Sequence, residues 1–152
     1  MKRDLGHFFK IALVLAALHL SLSAESISDK EYGSAFVSEV TSIYDGDTFR
    51  ANLAGYPEII GYRIGVRING IDTPEMRAQC QKEKNLALQA KQLTVTQLRG
   101  AKKIELRNMK RGKYFRIVAD VYVDGQNLGE MLIKRSLAVP YDGGHKGKDW
   151  CK

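Results

Sequence analysis

Two short acidic segments carry the residue types best suited to chemistry. Asp45 and Asp47 stand in the first, Asp-Gly-Asp-Thr, and Asp72 and Glu75 stand in the second, Asp-Thr-Pro-Glu. Arg67 lies five residues before Asp72. Four carboxylates placed close together raise one another's pKa values unless a cation neutralises them. Acids kept beside arginine in a basic chain therefore predict a divalent metal ion that acts on a phosphodiester.

The charge of the chain favours a polyanionic partner. Lys and Arg number 24 against 17 acids among 152 residues, which gives a net charge of +7. Eight basic residues and one acid, Glu105, fall in the segment from Arg99 to Arg116. A field of this sign concentrates nucleic acid, although a solvated basic surface explains basicity alone equally well. The length fits a single domain.

The first 24 residues predict an export signal, which leaves residues 25–152 as the domain. Basic residues precede an apolar stretch at 11–20, and small residues follow it up to Ala24. The apolar stretch is shorter than the ~20 residues that span a bilayer. A cleaved signal is thus favoured over an uncleaved anchor, the alternative. We expect an exported protein, periplasmic or secreted, without stable membrane association after cleavage.

The two cysteines, Cys80 and Cys151, both lie in the exported part. In an oxidising compartment they favour a disulfide, which would tie the glycine-rich tail at 142–147 to the domain, with Trp150 as an apolar anchor. Two buried free thiols or an intermolecular bridge are the alternatives, and a zinc site lacks the ligand spacing. Because the bond is far from the acids in sequence, we expect its reduction to lower thermal stability and leave the acidic site intact.

The hydrophobic pattern predicts mostly strands. Alternation is clearest at 62–69, and one long amphipathic helix is predicted within 78–98. The remaining predicted strands are 36–43, 48–53, 103–108 and 115–123. Asn127 is expected to cap a short helix. Five strands with a helix after the third favour a small closed barrel over a sandwich.

The acidic motifs are weak alone and specific in combination. Asp-Gly turns are common, and the EF-hand loop that Asp45 would open fails, since Arg50 and Tyr56 occupy its glycine and acid positions. Together, the blocks at 43–48, 66–75 and 113–125, continuing through 137–141, resemble the staphylococcal (micrococcal) nuclease family, or thermonucleases. The resemblance implies a mainly β fold with helices (α+β): an OB-fold five-stranded barrel with an inserted helix and a short second helix.

The resemblance also implies a calcium site. Asp47 and Asp72 match the carboxylates that bind Ca²⁺, assisted by the backbone carbonyl of Thr73, and hard oxygen ligands suit this ion. Asp45 matches the acid that orients metal-bound water. Glu75 matches the residue that positions or deprotonates the attacking water.

Basic residues complete the implied site. Arg67 and Arg116 match the two guanidinium groups that clamp the phosphate, and Lys113 and Tyr114 match contacts to the phosphate or sugar of the substrate. The expected protein is a monomeric, calcium-dependent endonuclease that hydrolyses DNA and RNA and leaves 3′-phosphate ends. The alternative is a catalytically weak OB-fold nucleic-acid-binding protein, against which the full set of acids and arginines argues.

Three departures from the family pattern stand out. Phe115 occupies the position of the turn glycine before Arg116. The segment between Glu75 and the predicted helix is short. The sequence stops at Lys152, without room for a third, C-terminal helix. The disulfide is expected to replace that helix in holding the C-terminal segment to the domain.

Overall fold

The computed structural model describes residues 30–152, so the export signal predicted for the first 24 residues lies outside the described part. The strands are β1 (Ala35–Ile43), β2 (Thr48–Leu53), β3 (Ile64–Ile68), β4 (Ile71–Asp72), β5 (Ile104–Arg111), β6 (Ile117–Val123), β7 (Gln126–Asn127) and β8 (Val139–Pro140). The helices are α1 (Glu58–Gly61), α2 (Gln81–Gly100) and α3 (Leu128–Lys134), with a 3-10 turn at Lys113–Phe115.

Five of these strands close into a barrel. β1, β2 and β3 follow one another antiparallel, β3 pairs in parallel with β6, and β6 pairs antiparallel with β5. A short antiparallel contact between β1 and β5, at Ala35 and Phe36, completes the ring. The predicted OB-fold barrel with a helix inserted after its third strand is confirmed.

The core follows from the alternation of the strands. In β3, Ile64, Val66 and Ile68 are buried, whereas Arg67 between them lies on the outer face. Such alternation places one row of side chains in the barrel and the other outside it. The predicted apolar face of α2 is buried at Ala90, Leu93 and Leu98. The buried rows therefore fix which side chains remain outside to form a site.

Both main helices begin at side-chain caps. The sulfur of Cys80 accepts a hydrogen bond from the backbone N–H of Glu83 at the start of α2. Asn127 Oδ1 accepts from the backbone N–H of Glu130 at 3.1 Å, so the predicted cap of α3 is confirmed.

Short elements are the part of the fold that the sequence pattern did not predict. α1 follows Pro57 and adds a third helix to the two expected. The strand predicted over 115–123 begins at Ile117, because Tyr114 and Phe115 adopt left-handed backbone conformations with φ of 58° and 56°. Left-handed φ favours glycine, which explains physically why a glycine suits the position that Phe115 occupies.

Cys80 and Cys151 form a disulfide, with their Cα atoms 6.0 Å apart and a sequence separation of 71. Trp150 beside it is buried, with 8% of its surface exposed. The predicted intramolecular bond and its apolar anchor are thus confirmed. Within residues 30–152, no helix is both long enough and apolar enough to cross a membrane.

Removing the disulfide should destabilise the domain without unfolding it. The paired Cys80→Ser and Cys151→Ser change frees a long loop in the unfolded chain, for which the chain-entropy model gives about 4 kcal/mol as an upper value. Urea denaturation followed by Trp150 fluorescence should show a lower midpoint. Reduced wild-type protein, the control, should match the double variant. A midpoint equal to that of the oxidised wild type would contradict the stabilising role.

Candidate active site

A groove of about 820 Å³ opens over the outer face of β2 and β3. Its lining includes seven of the predicted site residues, contributed by segments far apart in sequence. They are Asp45, Asp47, Arg67, Thr73, Glu75, Tyr114 and Arg116. Asp72 lies beside this lining and contacts Arg67, whereas Lys113 is exposed and does not line the groove.

The turn between β1 and β2 is organised by Asp45. Its Oδ1 accepts hydrogen bonds from the backbone N–H groups of Asp47, at 3.0 Å, and Thr48, at 2.8 Å. Burial, and next the negative charge of Asp47, raise the pKa of Asp45 to about 6, against the lowering effect of the two backbone donors. Asp45 therefore shapes the loop that presents Asp47.

The same turn rests on α2. The buried hydroxyl of Thr94 donates a hydrogen bond to the carbonyl oxygen of Gly46 at 2.7 Å. A Cβ atom on Gly46 would lie 2.8 Å from the Cβ of Ala90. Glycine is required here because any side chain would push the turn off the helix.

Asp47 is buried, with 2% of its surface exposed, and both of its carboxylate oxygens are hydrogen-bonded. Oδ1 accepts from Arg67 Nη1 at 2.7 Å and from the hydroxyl of Thr48 at 2.8 Å. Oδ2 accepts from the hydroxyl of Thr73 at 3.2 Å. These contacts join the β1–β2 turn, β3 and the segment after β4 at one carboxylate.

Asp72 is positioned by a two-stranded sheet, in which it pairs with Val139 of β8. It is 4% exposed. Its Oδ1 lies 2.8 Å from Lys146 Nζ and 3.5 Å from Arg67 Nη2. Two side-chain cations therefore offset its charge.

Glu75 lies at the rim of the groove, with its side chain 57% exposed. Its backbone N–H donates to Glu83 Oε1 on α2 at 3.0 Å, and its carboxylate pairs with Lys146. Partial burial lowers the pKa of Lys146, but hydrogen bonds from its ammonium to Asp72 and Glu75 outweigh this effect and raise it to about 12. Lys146 is therefore charged at neutral pH and joins the two acids.

The two arginines share one face of the barrel. In the parallel β3–β6 pair, Arg67 stands opposite Val118, two residues after Arg116. Residues two apart point to the same side of a strand, so both guanidinium groups face the groove. Arg116 Nε is buried without a hydrogen-bond partner among residues 30–152. A buried unpaired donor of this kind is costly unless a ligand accepts from it.

Exposed apolar side chains border the arginines. Tyr114 and Phe115 are 91% and 57% exposed, and Ile59 and Tyr62, which also line the groove, are 88% and 60% exposed. The Arg116 guanidinium carbon lies 5.9 Å from the centre of the Tyr114 ring. Flat apolar surfaces beside guanidinium groups match the bases and phosphates of a single nucleic-acid strand.

The donor chemistry of this site fits a hard divalent cation. Asp47 and Asp72 are buried carboxylates that already require positive partners, and oxygen ligands of this kind suit calcium or magnesium. Elsewhere in the described chain, Cys80, Glu83 and Cys151 bring three potential metal ligands together. Both sulfurs there belong to the disulfide, so that cluster is not a metal site.

Several residues of the site were not predicted. Lys146 comes from the glycine-rich tail, and its sequence neighbourhood has no pattern that links it to the acids. Thr94 stands on the apolar face of α2, where a lone buried hydroxyl could have signalled a partner. The apolar residues of α1 occupy a segment without periodicity. The disulfide is far from the acids in sequence, but the tail that it holds reaches them, because Lys146 contacts Asp72 and Glu75.

Fold and site together define an OB-fold barrel whose outer face carries acids, arginines and exposed aromatic rings around one groove. The chain belongs to the family of staphylococcal nuclease homologues, whose model matches residues 65–149. It is also similar to a probable endonuclease of Schizosaccharomyces pombe (strain 972 / ATCC 24843), with 27% identity over 145 residues. That match covers 80% of this chain, and the chain spans 62% of the length of the relative.

The Thr94 hydroxyl should be needed for both stability and site geometry. Thr94→Val leaves the buried Gly46 carbonyl without its donor, which should lower the free energy of unfolding by about 1–3 kcal/mol. Any ligand affinity that depends on Asp47 should fall with it, since the turn loses its support. Thermal and urea denaturation measure the first effect.

Thr96→Val is the matched control for this prediction. Thr96 lies on the same helix, is exposed, and donates to Gln92 O at 2.9 Å. Its replacement should change the free energy of unfolding by no more than about 0.5 kcal/mol. Equal effects of the two substitutions would contradict the role assigned to Thr94.

Proposed function

We propose that this protein is an exported, calcium-dependent endonuclease that hydrolyses phosphodiester bonds of DNA and RNA and leaves 3′-phosphate ends. The observation that carries the proposal is that Asp47, Glu75, Arg67 and Arg116 line one groove, with Asp72 beside the lining and paired with Arg67. Family membership and the similarity to a probable endonuclease support it. The predicted signal segment and the disulfide support export.

Asp47, Asp72 and the Thr73 carbonyl are the proposed calcium ligands, and Asp45 is the proposed partner of metal-bound water. When bound, the ion would act as a Lewis acid that offsets the charge developing on the phosphoryl oxygens. Asp45 contributes by holding the turn through two backbone hydrogen bonds, which keeps Asp47 aimed at the same point before and after substrate arrives.

Arg67 and Arg116 are proposed to hold the scissile phosphate between them. Their planar guanidinium groups present paired N–H donors that match phosphate oxygens. Arg116 offers a buried Nε without a partner among the described residues, and Arg67 is fixed by Asp47 and by the carbonyl of Ile71. The Arg67 side chain is therefore already ordered before substrate binds, so its conformational entropy is lost during folding rather than during the reaction.

Glu75 is proposed to position the attacking water and accept its proton. Its backbone is held by Glu83, while its carboxylate remains at the rim of the groove, within reach of solvent. Water attack on phosphorus and departure of the 5′ oxygen need no covalent intermediate.

The apolar borders of the groove are proposed to receive bases. Tyr114, Phe115 and Tyr62 are exposed rings that stack on bases without reading their sequence. Lys113, outside the groove lining, is proposed to contact the substrate backbone beyond the cleaved bond. Substrate with unpaired bases should therefore be cleaved faster than intact duplex.

A second candidate function is nucleic-acid binding with little catalysis. The observation in its favour is that Asp47, Asp72 and Glu75 each already pair with Arg67 or Lys146. Acids satisfied in this way do not by themselves require a metal ion.

Digestion of single- and double-stranded DNA and RNA, with calcium, with magnesium and with chelator, separates the two functions. The proposal predicts cleavage with calcium, poor substitution by magnesium, which demands stricter octahedral geometry, and loss of activity but not of fold in chelator. Products should carry 3′-phosphate. Full activity in chelator would contradict metal dependence, and binding without cleavage under every condition would favour the second candidate.

Glu75→Gln and Arg116→Ala should affect turnover more than binding. Removal of a general base typically lowers kcat by about 10²–10⁴-fold, and loss of a donor to developing charge lowers it by about 10²–10³-fold. Single-turnover cleavage and fluorescence anisotropy with a labelled oligonucleotide measure turnover and affinity separately.

Arg135→Ala is the control for these substitutions. Arg135 is exposed at the end of α3, and its replacement lowers the net charge by the same amount as Arg116→Ala. It should leave kcat unchanged. Parallel losses of affinity and turnover in both site variants would mean that their roles are wrongly assigned.

A further inference from the structure

Lys146 places an ammonium group inside the acidic cluster. Its Nζ lies 2.8 Å from Asp72 Oδ1 and also pairs with Glu75. The first of these acids is a proposed calcium ligand and the second the proposed base. A single side chain from the C-terminal tail therefore contacts two of the groups on which the proposed chemistry depends.

The tail that carries Lys146 is fixed at both ends. At one end, Val139 of β8 pairs with Asp72 itself. At the other end, Cys151 is bonded to Cys80 at the start of α2, beside buried Trp150. Between them, the Tyr141 hydroxyl donates to Gly144 O at 2.7 Å. A group tethered on both sides is presented at a high effective concentration, so the ion pair does not depend on chance encounter.

Side-chain cations offset most of the negative charge of the cluster, so that one negative charge remains without a metal ion. Three carboxylates, those of Asp47, Asp72 and Glu75, contact two side-chain cations, Arg67 and Lys146. A divalent ion added to this set would give an excess of positive charge at short range, where repulsion is strong. If Lys146 leaves, the same ion restores balance.

We propose that Lys146 is an internal competitor of the metal ion, held over Asp72 and Glu75 by the disulfide-anchored tail, and that it sets the calcium affinity of the site. This inference rests on the proposed calcium site. Calcium binding displaces the ammonium from Asp72, and the release of Lys146 also frees the Glu75 carboxylate for water. The disulfide limits how far the tail can withdraw, so it weakens calcium binding while stabilising the fold.

Calcium titration by isothermal calorimetry tests the proposal without reference to activity. Lys146→Met removes the competing charge and keeps most of the side-chain length. Its Kd for calcium should be about tenfold lower than that of the wild type, within the usual range of coupling between sites. Lys146→Arg retains a cation and should stay near the wild-type Kd. Lys148→Met is the matched control, because Lys148 lies in the same tail and its ammonium is 5.5 Å from the Trp150 ring centre.

A second readout is the thermal shift that calcium produces. In chelator, Lys146→Met leaves Asp72 and Glu75 without their ammonium partner, so its melting temperature should be lower than that of the wild type. Calcium should then raise the melting temperature of this variant by more than it raises that of the wild type, since the stabilisation by a ligand grows with the logarithm of its concentration divided by its Kd. The paired Cys80→Ser and Cys151→Ser protein should have a calcium Kd between those of the wild type and Lys146→Met.

The outcomes separate the two proposals. Calcium binding by the wild type with an unchanged or higher Kd in Lys146→Met would overturn the competitor role, and weaker binding of a short single-stranded DNA by that variant would instead assign Lys146 to the substrate phosphate. Absence of calcium binding in all variants would overturn the calcium site and the competitor role together. A Kd in the double serine protein equal to that of the wild type would overturn the part assigned to the disulfide.

Discussion

The burial of the Asp47 carboxylate is the constraint on which the arrangement of the site depends. An ionised carboxylate removed from water is costly unless charge and hydrogen bonds compensate it. Asp47 obtains this compensation from Arg67, Thr48 and Thr73, which come from β3, β2 and the segment after β4. Three parts of the chain must therefore meet at this carboxylate. The barrel satisfies the requirement because β2 and β3 are neighbours, with Thr48 opposite Arg67 in their register.

The Arg67–Asp47 ion pair also makes the geometry of the site depend on the strand pairing that closes the barrel. Arg67 can reach Asp47 only from the outer face of β3, and the parallel pairing of β3 with β6 puts Arg116 on the same face. Slipping either strand by one residue would turn its arginine into the core. The apolar rows of Val66, Ile68 and Ala119 exclude such a slip, since they would then face water. The register of β3 and β6 therefore determines both the packing of the core and the position of the two arginines on one face of the barrel.

Much of this could be predicted from the sequence, because local patterns determine it. The alternation around β3, the apolar face of α2 and the Asn127 cap each depend on residues close together in the chain. The two acidic turns and Arg67 could be singled out for the same reason, whereas Arg116 and the roles of these residues followed from the family resemblance. α1, the two-residue strands β4 and β8, and the left-handed backbone at Tyr114 and Phe115 were not predicted. Elements this short have no period, and tertiary contacts decide their form.

The position of Lys146 shows most clearly where local reasoning ends. Nothing near it in sequence indicates acids, and the contact exists because β8 pairs with Asp72 and a disulfide joins Cys151 to Cys80. The β8 pairing and the disulfide fix the two ends of the tail, so the segment between them can adopt few conformations. Attraction to the acids favours the conformation that places the Lys146 ammonium beside them. The carboxylates that would hold a metal ion thus also direct the fold of the tail. Stabilising an acidic cluster and leaving it open to a ligand are opposed requirements. A tethered and displaceable cation satisfies both, whereas Arg67, which is fixed by Asp47 and the carbonyl of Ile71, does not.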